Sequence, residues 1–297
     1  MQGSVHRKAA AKINLYLHVL GRRDDGYHLL DSLIVFVDMG DDLKVEPAAD
    51  LTLEVGGPFG LGLGQSTASA DNLVLRAARS LRQRVDGPGV GPGAHIRLSK
   101  NLPVAAGVGG GSADAAATLS ALNDLWSLGL PFDALMTLGL DLGADVPACL
   151  AGVPVLVSGV GEKLAAARKL PDVYAVLVNP GRELSTAQVF GALKPQGYGE
   201  ADPLSQPATD LAGLADQLSR RRNDLEPPAI ELVPEIAQVM RALEDERGCQ
   251  FARMSGSGAT CFGLFATADE AARASASVSD RFPEWWTTAG AVLKDRS

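Results

Sequence analysis

Apolar and polar side chains alternate along residues 9–20 of the chain. One side carries Ile13, Leu15, Leu17 and Val19, and the other carries Lys12, Asn14, Tyr16 and His18. Strict alternation predicts a strand with one buried face, and leaves the polar face either solvated or lining a pocket. The Asp25-Gly26 pair is typical of a hairpin turn, which predicts a second strand over residues 27–37.

Similar patterns predict the remaining elements. Strands are expected at residues 43–47, 51–55, 95–99, 153–157, 174–179, 251–254, 260–265 and 288–293. Helices are expected from residues 71–73, over residues 112–126, 132–142, 185–193, 210–218 and 230–246, and from residue 269. Runs of strands followed by helices, without strict alternation, predict an α+β fold. The pattern restarts around Val153, so we expect two lobes that meet near residue 155, namely residues 1–155 and residues 156–297.

A glycine-rich stretch, residues 103–113, runs directly into an alanine-rich helix. Gly109, Gly110 and Gly111 let the backbone adopt unusual angles and let a ligand approach closely. Ser112 is a good N-cap residue, and Asp114 suits the positive end of a helix. The free amides of a first helical turn form a cradle for an anion such as phosphate. The alternative is a flexible linker that merely caps the helix.

No Lys, Arg or His occurs between Lys100 and Lys163. A Walker A loop carries a lysine directly after its glycines, so that type of loop is excluded. The dinucleotide-binding fingerprint also fails, because the sixth position counted from Gly107 is Ser112 instead of Gly or Ala. A phosphate bound here would be held by main-chain amides, with cations supplied by other parts of the chain.

Composition narrows the function further. The formal net charge of -8 argues against nucleic acid as the main partner, since that binding neutralises phosphates. Three widely spaced cysteines form neither a disulfide framework nor a metal motif, which favours a reducing cytoplasm. We find no apolar signal segment and no run long enough to span a bilayer, so no membrane partner is expected.

Two residues stand out as candidates for acid–base chemistry. Asp145 lies in a Gly-Ala-Asp-Val-Pro turn within a stretch almost free of charge, so it is either a general base or an ordinary turn or N-cap residue. Lys12 lies on the polar face of the first strand, beside Asn14. It is either the charged partner of Asp145 or a lysine that faces solvent. Tyr27 and His28 could stack on or hydrogen-bond a base, or could serve packing alone.

Five segments together carry a resemblance to a known family. They are Ala11-Lys12-Ile13-Asn14-Leu15, Asp25-Gly26-Tyr27-His28, residues 103–113, Gly143-Ala144-Asp145-Val146-Pro147 and Ser255-Gly256-Ser257-Gly258. In this order they resemble the GHMP superfamily of small-molecule kinases over nearly the whole chain. The glycine loop marks the superfamily, and the segments at residues 25–28 and 143–147 narrow the resemblance to one type of member.

The resemblance implies a two-lobed fold. Its N-terminal lobe would be similar to domain 2 of ribosomal protein S5 and would bind ATP and substrate, and its C-terminal lobe would be ferredoxin-like. The implied reaction is ATP-dependent phosphorylation of the 2-hydroxyl of a cytidine diphosphate-linked methylerythritol, a small-molecule substrate of non-mevalonate isoprenoid synthesis. Mg²⁺ is expected on the ATP phosphates, with Ser112 as the candidate for its protein ligand. The enzyme is expected to be a monomer or weak homodimer.

Residue roles follow by matching motif positions. Asp145 would be the base, Lys12 would orient it and favour the developing alkoxide, and Asn14 would help place the substrate. The ATP phosphates would be wrapped by Pro103, Val104, Ala105, Ala106, Gly107, Val108, Gly109, Gly110, Gly111, Ser112 and Ala113, with Asn72 and Lys100 near the nucleotide. The cytosine would be held by stacking on Tyr27 and Phe190 and by a hydrogen bond from His28, with Thr186 close by. Ala105 and Ala106 stand where some relatives have glycine.

Two other functions remain open at this point. A sister kinase acting on homoserine, mevalonate or a sugar would not need Tyr27, His28 and Phe190 for a cytosine. A non-catalytic nucleotide- or RNA-binding protein is the other alternative, because the implied N-terminal fold also occurs in RNA-binding proteins. The acidic net charge and the presence of Lys12 and Asp145 argue against that alternative.

Overall fold

The computed structural model describes residues 3–60, 72–84, 92–194 and 198–294. The chain forms two compact units, each made of several segments. The first unit comprises Met1–Ala11, Met39–Val104 and Gly110–Ala151, and the second comprises Lys12–Asp38, Ala105–Gly109 and Gly152–Ser297. The expected division into lobes after residue 155 stays a prediction, whereas the mixture of strands and helices in two units is observed.

The first unit packs helices against a short sheet. Strand β4 (Gly93–Ser99) lies between β3 (Leu51–Gly56), to which it is parallel, and the second half of β2 (His28–Ala48), to which it is antiparallel. Its helices are α1 (Leu73–Arg82), α2 (Gly110–Leu125), α3 (Phe132–Leu142) and α4 (Val146–Ala151). Alanines along α2 are buried in the core of this unit, where their small side chains let α1 approach closely.

The second unit is built on antiparallel strands. Strand β7 (Tyr174–Asn179) lies between β10 (Trp286–Leu293) and β9 (Cys261–Phe265), and β9 also pairs with β8 (Phe251–Met254). Strand β5 (Val155–Gly159) pairs with the first half of β2 and with β6 (Lys163–Ala166). The helices are α5 (Thr186–Ala192), α6 (Leu211–Ser219), α7 (Glu226–Leu232), α8 (Glu235–Glu244) and α9 (Ala268–Arg281). Of the helices within the described ranges, none combines the length and the apolar character that a membrane span needs.

Two long strands, β1 (Val5–Arg22) and β2, pair with each other and contribute residues to both units. The sequence predicted a break between residues 37 and 43, which is wrong because β2 continues through Gly40 without interruption. Both faces of the middle of β1 are buried. Its polar face is therefore not solvated, and its side chains must find partners within the protein.

Tyr16 and His18, on that polar face, find their partner in Asp31 of β2. The Asp31 carboxylate accepts from the Tyr16 hydroxyl at 3.4 Å and from His18 Nδ1 at 3.2 Å. Because His18 Nε2 accepts the backbone amide of Arg222 at 3.3 Å, the imidazole carries its proton on Nδ1. This end of the face is a structural network, which leaves Lys12 and Asn14 as its functional candidates.

A single helix over residues 230–246 was also a wrong prediction. The chain forms α7 and α8 instead, with Val233 outside the helical conformation (φ -135°, ψ 86°) and Pro234 at the N-cap of α8. Proline lacks an amide proton and disfavours a helical conformation in the residue before it, so the apolar period alone was misleading here. Strand β6 and the short α4 were not predicted.

Candidate active site

The glycine loop differs in detail from its prediction. Helix α2 begins at Gly110, so Ser112 is the third residue of the helix and not its N-cap. Positive φ angles occur at Ala105 (52°), Gly107 (75°) and Gly109 (67°), whereas Gly110 and Gly111 are helical. The requirement for an unusual backbone therefore falls on residues 105–109, before the helix. The first amides of α2 still lack partners within the helix, as an anion site requires.

Residues 105–109 are fixed by main-chain and hydroxyl contacts. The backbone amide of Thr260 donates to the Ala106 carbonyl at 3.1 Å, and the amide of Lys12 donates to the Val108 carbonyl at 3.0 Å. Ser255 Oγ donates to the Gly107 carbonyl at 3.0 Å. Three successive carbonyls are thus used inside the protein, which makes this stretch an ordered loop and not a flexible linker.

Gly109 also allows a close approach to Lys12. A Cβ atom at Gly109 would lie 2.4 Å from Lys12 Cγ, far below a normal van der Waals contact. The absence of a side chain at this position therefore lets the aliphatic part of Lys12 pass directly over the loop.

Lys12 and Asn14 lie side by side and buried on β1. Lys12 Nζ donates to Asn14 Oδ1 at 2.8 Å, and Asn14 Nδ2 donates to Ser32 Oγ at 2.8 Å. The backbone amide of Asn14 donates to Ser255 Oγ at 3.1 Å. The ammonium of Lys12 is thus held by an amide oxygen that is itself oriented by β2, so its position is defined. Ser32 and Ser255 are partners that the alternation pattern could not reveal.

Asp145 lies in the turn between α3 and α4. The Val146 amide donates to the Gly143 carbonyl, and the Asp145 carbonyl accepts from the Cys149 amide, both at 3.1 Å. Asp145 therefore directly precedes the first residue of α4 and is half-buried. Asp145 can be both a base and a helix-start residue, although the two were predicted as alternatives. The start of α4 uses the backbone carbonyl of Asp145, whereas a base would use its side-chain carboxylate.

Lys100 forms a buried cluster with two aspartates of the same unit. Its Nζ donates to Asp41 Oδ2 and, at 2.8 Å, to Asp114 Oδ2. Asp41 Oδ1 accepts the amides of Asn101 at 2.6 Å and Leu102 at 2.8 Å. Asp114 was expected at the positive end of α2 but is its fifth residue and contacts Lys100 instead. Sequence analysis missed Asp41 and this role of Asp114, since no local pattern links the three residues.

Burial, opposed by Lys100 and reinforced by nearby Asp41, raises the pKa of Asp114 to about 7. Burial alone would lower the pKa of Lys100, but the two carboxylates raise it. The Oδ1 atom of Asp114 is buried and, among the described residues, has no hydrogen-bond partner. Burial therefore penalises the ionised form of Asp114 in the folded protein relative to the unfolded chain.

We expect Asp114→Asn to be increasingly well tolerated as the pH rises. The pKa of Asp114 is raised on folding, so the folded protein binds more protons than the unfolded chain between roughly pH 4 and pH 7. Native stability linked to this group is lost as pH rises through that window, and Asn, which cannot ionise, avoids that loss. The melting temperature of the variant minus that of the parent should increase between pH 5 and pH 8. A difference independent of pH would contradict the raised pKa.

The residues expected around the cytosine all belong to the second unit. The rings of His28 and Phe190 are stacked, with centroids 4.9 Å apart, whereas Tyr27 is 65% exposed. Burial and the charge of Arg22 lower the pKa of His28, which makes the neutral imidazole with one donor and one acceptor the main form at neutral pH. Thr186 begins α5 one turn before Phe190, and its hydroxyl lies 2.8 Å from Ser257 Oγ.

Asn72 has a structural explanation of its own. It is the N-cap residue of α1, and its Oδ1 accepts the Val74 amide at 2.9 Å. This accounts for the residue type at the helix start. A contact with a nucleotide stays a prediction for Asn72, as it does for Lys100.

Comparison with known proteins identifies the family. The N-terminal domain of GHMP kinases matches residues 72–153, and the C-terminal domain of GHMP kinases matches residues 205–284. The chain is 49% identical to 4-diphosphocytidyl-2-C-methyl-D-erythritol kinase of Paramagnetospirillum magneticum over 286 residues, which cover 96% of this chain and 98% of that protein.

Solved structures agree with the sequence relatives. A crystal structure of 4-(cytidine 5'-diphospho)-2C-methyl-D-erythritol kinase matches with a TM-score of 0.77 and 36% identity, covering 97% of this chain and 99% of that one. Homoserine kinase from Cytophaga hutchinsonii has a TM-score of 0.67 at 19% identity, with coverage of 100% of this chain and 96% of that one, and shares the fold alone. The chain therefore belongs to the GHMP kinases and, among them, to the 4-diphosphocytidyl-2-C-methyl-D-erythritol kinase family.

Proposed function

We propose that this chain transfers the γ-phosphoryl group of ATP to the 2-hydroxyl of 4-diphosphocytidyl-2-C-methyl-D-erythritol, a step of the non-mevalonate isoprenoid pathway. The observation that carries this proposal is the 49% identity to a kinase of that name over nearly the full length of both chains. The ordered glycine loop and the buried Lys12–Asn14 pair supply the type of chemistry that such a transfer needs.

The nucleotide phosphates would be bound by residues 103–113. The amides of the first turn of α2 and its dipole favour a negative charge at Gly110 and Gly111. A Cβ at Gly110 would lie 3.3 Å from Lys100 Nζ, so the Lys100 ammonium is adjacent to this helix start. Lys100 would then contribute a positive field to the phosphate site while its hydrogen bonds go to Asp41 and Asp114.

In the chemical step, Asp145 would accept the proton of the substrate hydroxyl as its oxygen attacks the γ-phosphorus. The bond between that phosphorus and the β,γ-bridging oxygen breaks, and ADP leaves. Lys12 would orient Asp145 and stabilise the developing negative charge on the attacking oxygen. Asn14, which fixes the Lys12 ammonium at 2.8 Å, would keep it in position and contribute to substrate placement.

Mg²⁺ would accompany ATP as part of the substrate. This ion commonly binds one or two protein oxygens in addition to nucleotide phosphates, and it neutralises their charge during transfer. The half-buried Ser112 hydroxyl, in the first turn of α2, is an oxygen ligand of the right type. Within the described ranges, no group of three or more His, Cys, Asp or Glu residues is arranged to hold a metal.

The finer features of the prediction are part of the proposal. The N-terminal lobe, residues 1–155, would resemble domain 2 of ribosomal protein S5 and would bind both ligands, and residues 156–297 would form a ferredoxin-like lobe. The enzyme would act in the cytoplasm as a monomer or weak homodimer, without a nucleic-acid or membrane partner. Three free cysteines, none of them in a disulfide, support a reducing compartment.

We expect Phe190→Ala to weaken binding of the cytidine substrate. Stacking of a base on an aromatic side chain contributes about 1–3 kcal/mol, so the KM for this substrate should rise about five- to a hundredfold while the KM for ATP stays nearly constant. Because one face of Phe190 already packs on His28, the cytosine would use the remaining face, with Tyr27 opposite. Steady-state kinetics with each substrate varied in turn measures both constants.

A matched control is Phe282→Ala. It removes a ring that stacks on Trp285, with ring centroids 3.9 Å apart. Phe282 is far in the sequence from the named site residues. This variant should lose stability but keep the KM of the cytidine substrate. If Phe190→Ala affects only ATP, these aromatic residues bind adenine and the assignment of the two subsites is reversed.

The overall proposal is tested by the choice of alcohol. Purified enzyme should form ADP from ATP rapidly with the cytidylyl methylerythritol and at background rates with mevalonate, homoserine or galactose. Comparison of kcat/KM across these four alcohols in a coupled ADP assay gives the answer. Equal turnover of mevalonate or homoserine would assign the chain to another activity on the same fold.

A further inference from the structure

Asn223 is a buried polar residue that holds the loop made of residues 255–258, here called the serine–glycine loop. It is 4% exposed. Its Nδ2 donates to the Met254 carbonyl at 2.9 Å and to the Gly256 carbonyl at 2.8 Å, so both amide protons are used on this segment. Its Oδ1 accepts the Leu225 amide at 3.0 Å. All hydrogen-bonding groups of the side chain therefore serve to connect two stretches of backbone.

The segment that carries Asn223 is itself fixed to β1. The Leu17 amide donates to the Arg222 carbonyl at 3.0 Å, and the Asp224 amide donates to the Leu17 carbonyl at 2.8 Å. The Asp224 carboxylate also accepts the Val19 amide at 2.7 Å. The segment around Asn223 is thus hydrogen-bonded to the strand that carries Lys12 and Asn14. Through its side chain, Asn223 fixes the serine–glycine loop relative to that strand.

The serine–glycine loop contacts several of the proposed site residues. Ser255 Oγ accepts the Asn14 amide and donates to the Gly107 carbonyl, and Ser257 Oγ lies 2.8 Å from the Thr186 hydroxyl. At Gly256, where φ is +56°, a Cβ would lie 3.1 Å from Asn14 Oδ1 and 3.8 Å from Lys12 Nζ. The loop backbone therefore packs directly against the Lys12 ammonium and against the Asn14 amide oxygen that accepts its hydrogen bond.

We infer that Asn223 is a positioning residue for the phosphoryl-transfer site. By fixing Met254 and Gly256, it keeps the serine–glycine loop against Asn14 and Lys12 and holds Ser255 between Asn14 and Gly107. Asn223 does not touch the reactants and acts through these residues. The inference rests on the proposed function for its catalytic consequence, whereas its structural part stands on the hydrogen bonds alone.

The test compares Asn223→Ala and Asn223→Asp with Asn123→Ala. Asp keeps the shape and the acceptor atom of Asn but replaces the donor by an oxygen facing two carbonyls. Asn123 also braces backbone, through both the carbonyl and the amide of Leu130, but contacts none of the proposed site residues. A misplacement of about 1 Å can reduce a rate about a hundredfold, so we expect kcat to fall about ten- to a hundredfold in both Asn223 variants. Asn123→Ala should lose stability and keep kcat.

Two further measurements separate positioning from a general loss of structure. In a Lys12→Ala background, Asn223→Ala should reduce kcat much less than it does in the parent, because its effect passes through the Lys12 site. Hydrogen exchange should show faster exchange of the Asn14, Ser255 and Gly258 amides in Asn223→Ala, with no change there in Asn123→Ala. The exchange measurement needs no substrate, so it applies even to a variant without activity.

Each outcome decides the inference. Unchanged kcat in the Asn223 variants of an active enzyme, or equal losses in the parent and the Lys12→Ala background, would overturn it. Unchanged exchange at the three amides would also overturn it. A parent enzyme that fails to phosphorylate the cytidylyl methylerythritol would contradict the proposed function, and the exchange result would then decide the positioning role alone.

Discussion

Replacing Asp145 with asparagine is expected to lower kcat by about 10²- to 10⁴-fold, the usual contribution of a general base. Asparagine preserves the size of the side chain, and the backbone carbonyl that starts α4 is unaffected. The fold and the affinity for a non-hydrolysable ATP analogue should therefore remain nearly unchanged. Steady-state kinetics and isothermal titration measure the two effects. Asp141→Asn, at an exposed position of α3, is the matched control and should leave kcat unchanged.

The same variant tests the proposed partnership of Asp145 with Lys12. Lys12→Ala should also lower kcat, because it removes the ammonium that would stabilise the attacking oxygen. If the two residues act on the same hydroxyl, the double variant should lose less than the product of the two single losses. Fully multiplicative losses would show that Asp145 and Lys12 contribute independently.

The second large effect is expected for Gly109→Ala, which we predict to reduce kcat about a hundredfold by displacing Lys12. The φ angle of Gly109 is +67°, and its added Cβ would lie 2.4 Å from Lys12 Cγ and 3.0 Å from Lys12 Cε. The collision involves the inner part of the lysine side chain, which cannot move without shifting the ammonium away from Asn14. A left-handed conformation in a residue other than glycine also costs about 1–3 kcal/mol of stability.

Gly129→Ala separates the two consequences. Gly129 has a similar φ of +61°, but a Cβ there would meet no atom within 4 Å. This control should show the backbone cost in a thermal melt while kcat stays at the parental level. If Gly109→Ala behaves like Gly129→Ala in both measurements, the close contact between the loop and Lys12 has no catalytic significance.

Local patterns predicted several elements at their true bounds. The helix Phe132–Leu142 and the strands Tyr174–Asn179 and Phe251–Met254 were placed correctly. The α3 segment has a clear apolar period and is bounded by Pro131 before it and Gly143 after it. In such segments the local signal and the packing agree, so the sequence alone is sufficient.

Prediction was wrong where packing or main-chain geometry overrides the local signal. Ser112 is a good N-cap residue, yet α2 begins two residues earlier at Gly110. Separate strands were expected over residues 27–37 and 43–47, yet β2 is continuous from His28 to Ala48, and its second half pairs with β4. Propensity is a weak guide when a neighbouring strand satisfies the backbone hydrogen bonds.

The site was predictable only as separate motifs. Alternation on β1 correctly put Lys12 and Asn14 on one face, and the structure adds that both are buried. Their fixed positions depend on Ser255, which is 241 residues from Asn14 in the chain. No spacing rule connects residues so far apart, so Ser255, Asn223 and the Asp41–Lys100–Asp114 cluster required the folded chain.

The central claim, transfer of a phosphoryl group to one hydroxyl of the cytidylyl methylerythritol, is tested most directly by ³¹P NMR of the reaction mixture. The carbon that bears both the 2-hydroxyl and the methyl branch carries no hydrogen. A phosphate on that oxygen should therefore give a single phosphomonoester resonance without vicinal proton coupling, growing in step with ADP while the diphosphate signals of the cytidylyl group remain. A proton-split phosphomonoester signal would place the phosphate on another hydroxyl, and release of ADP with inorganic phosphate alone would contradict the account.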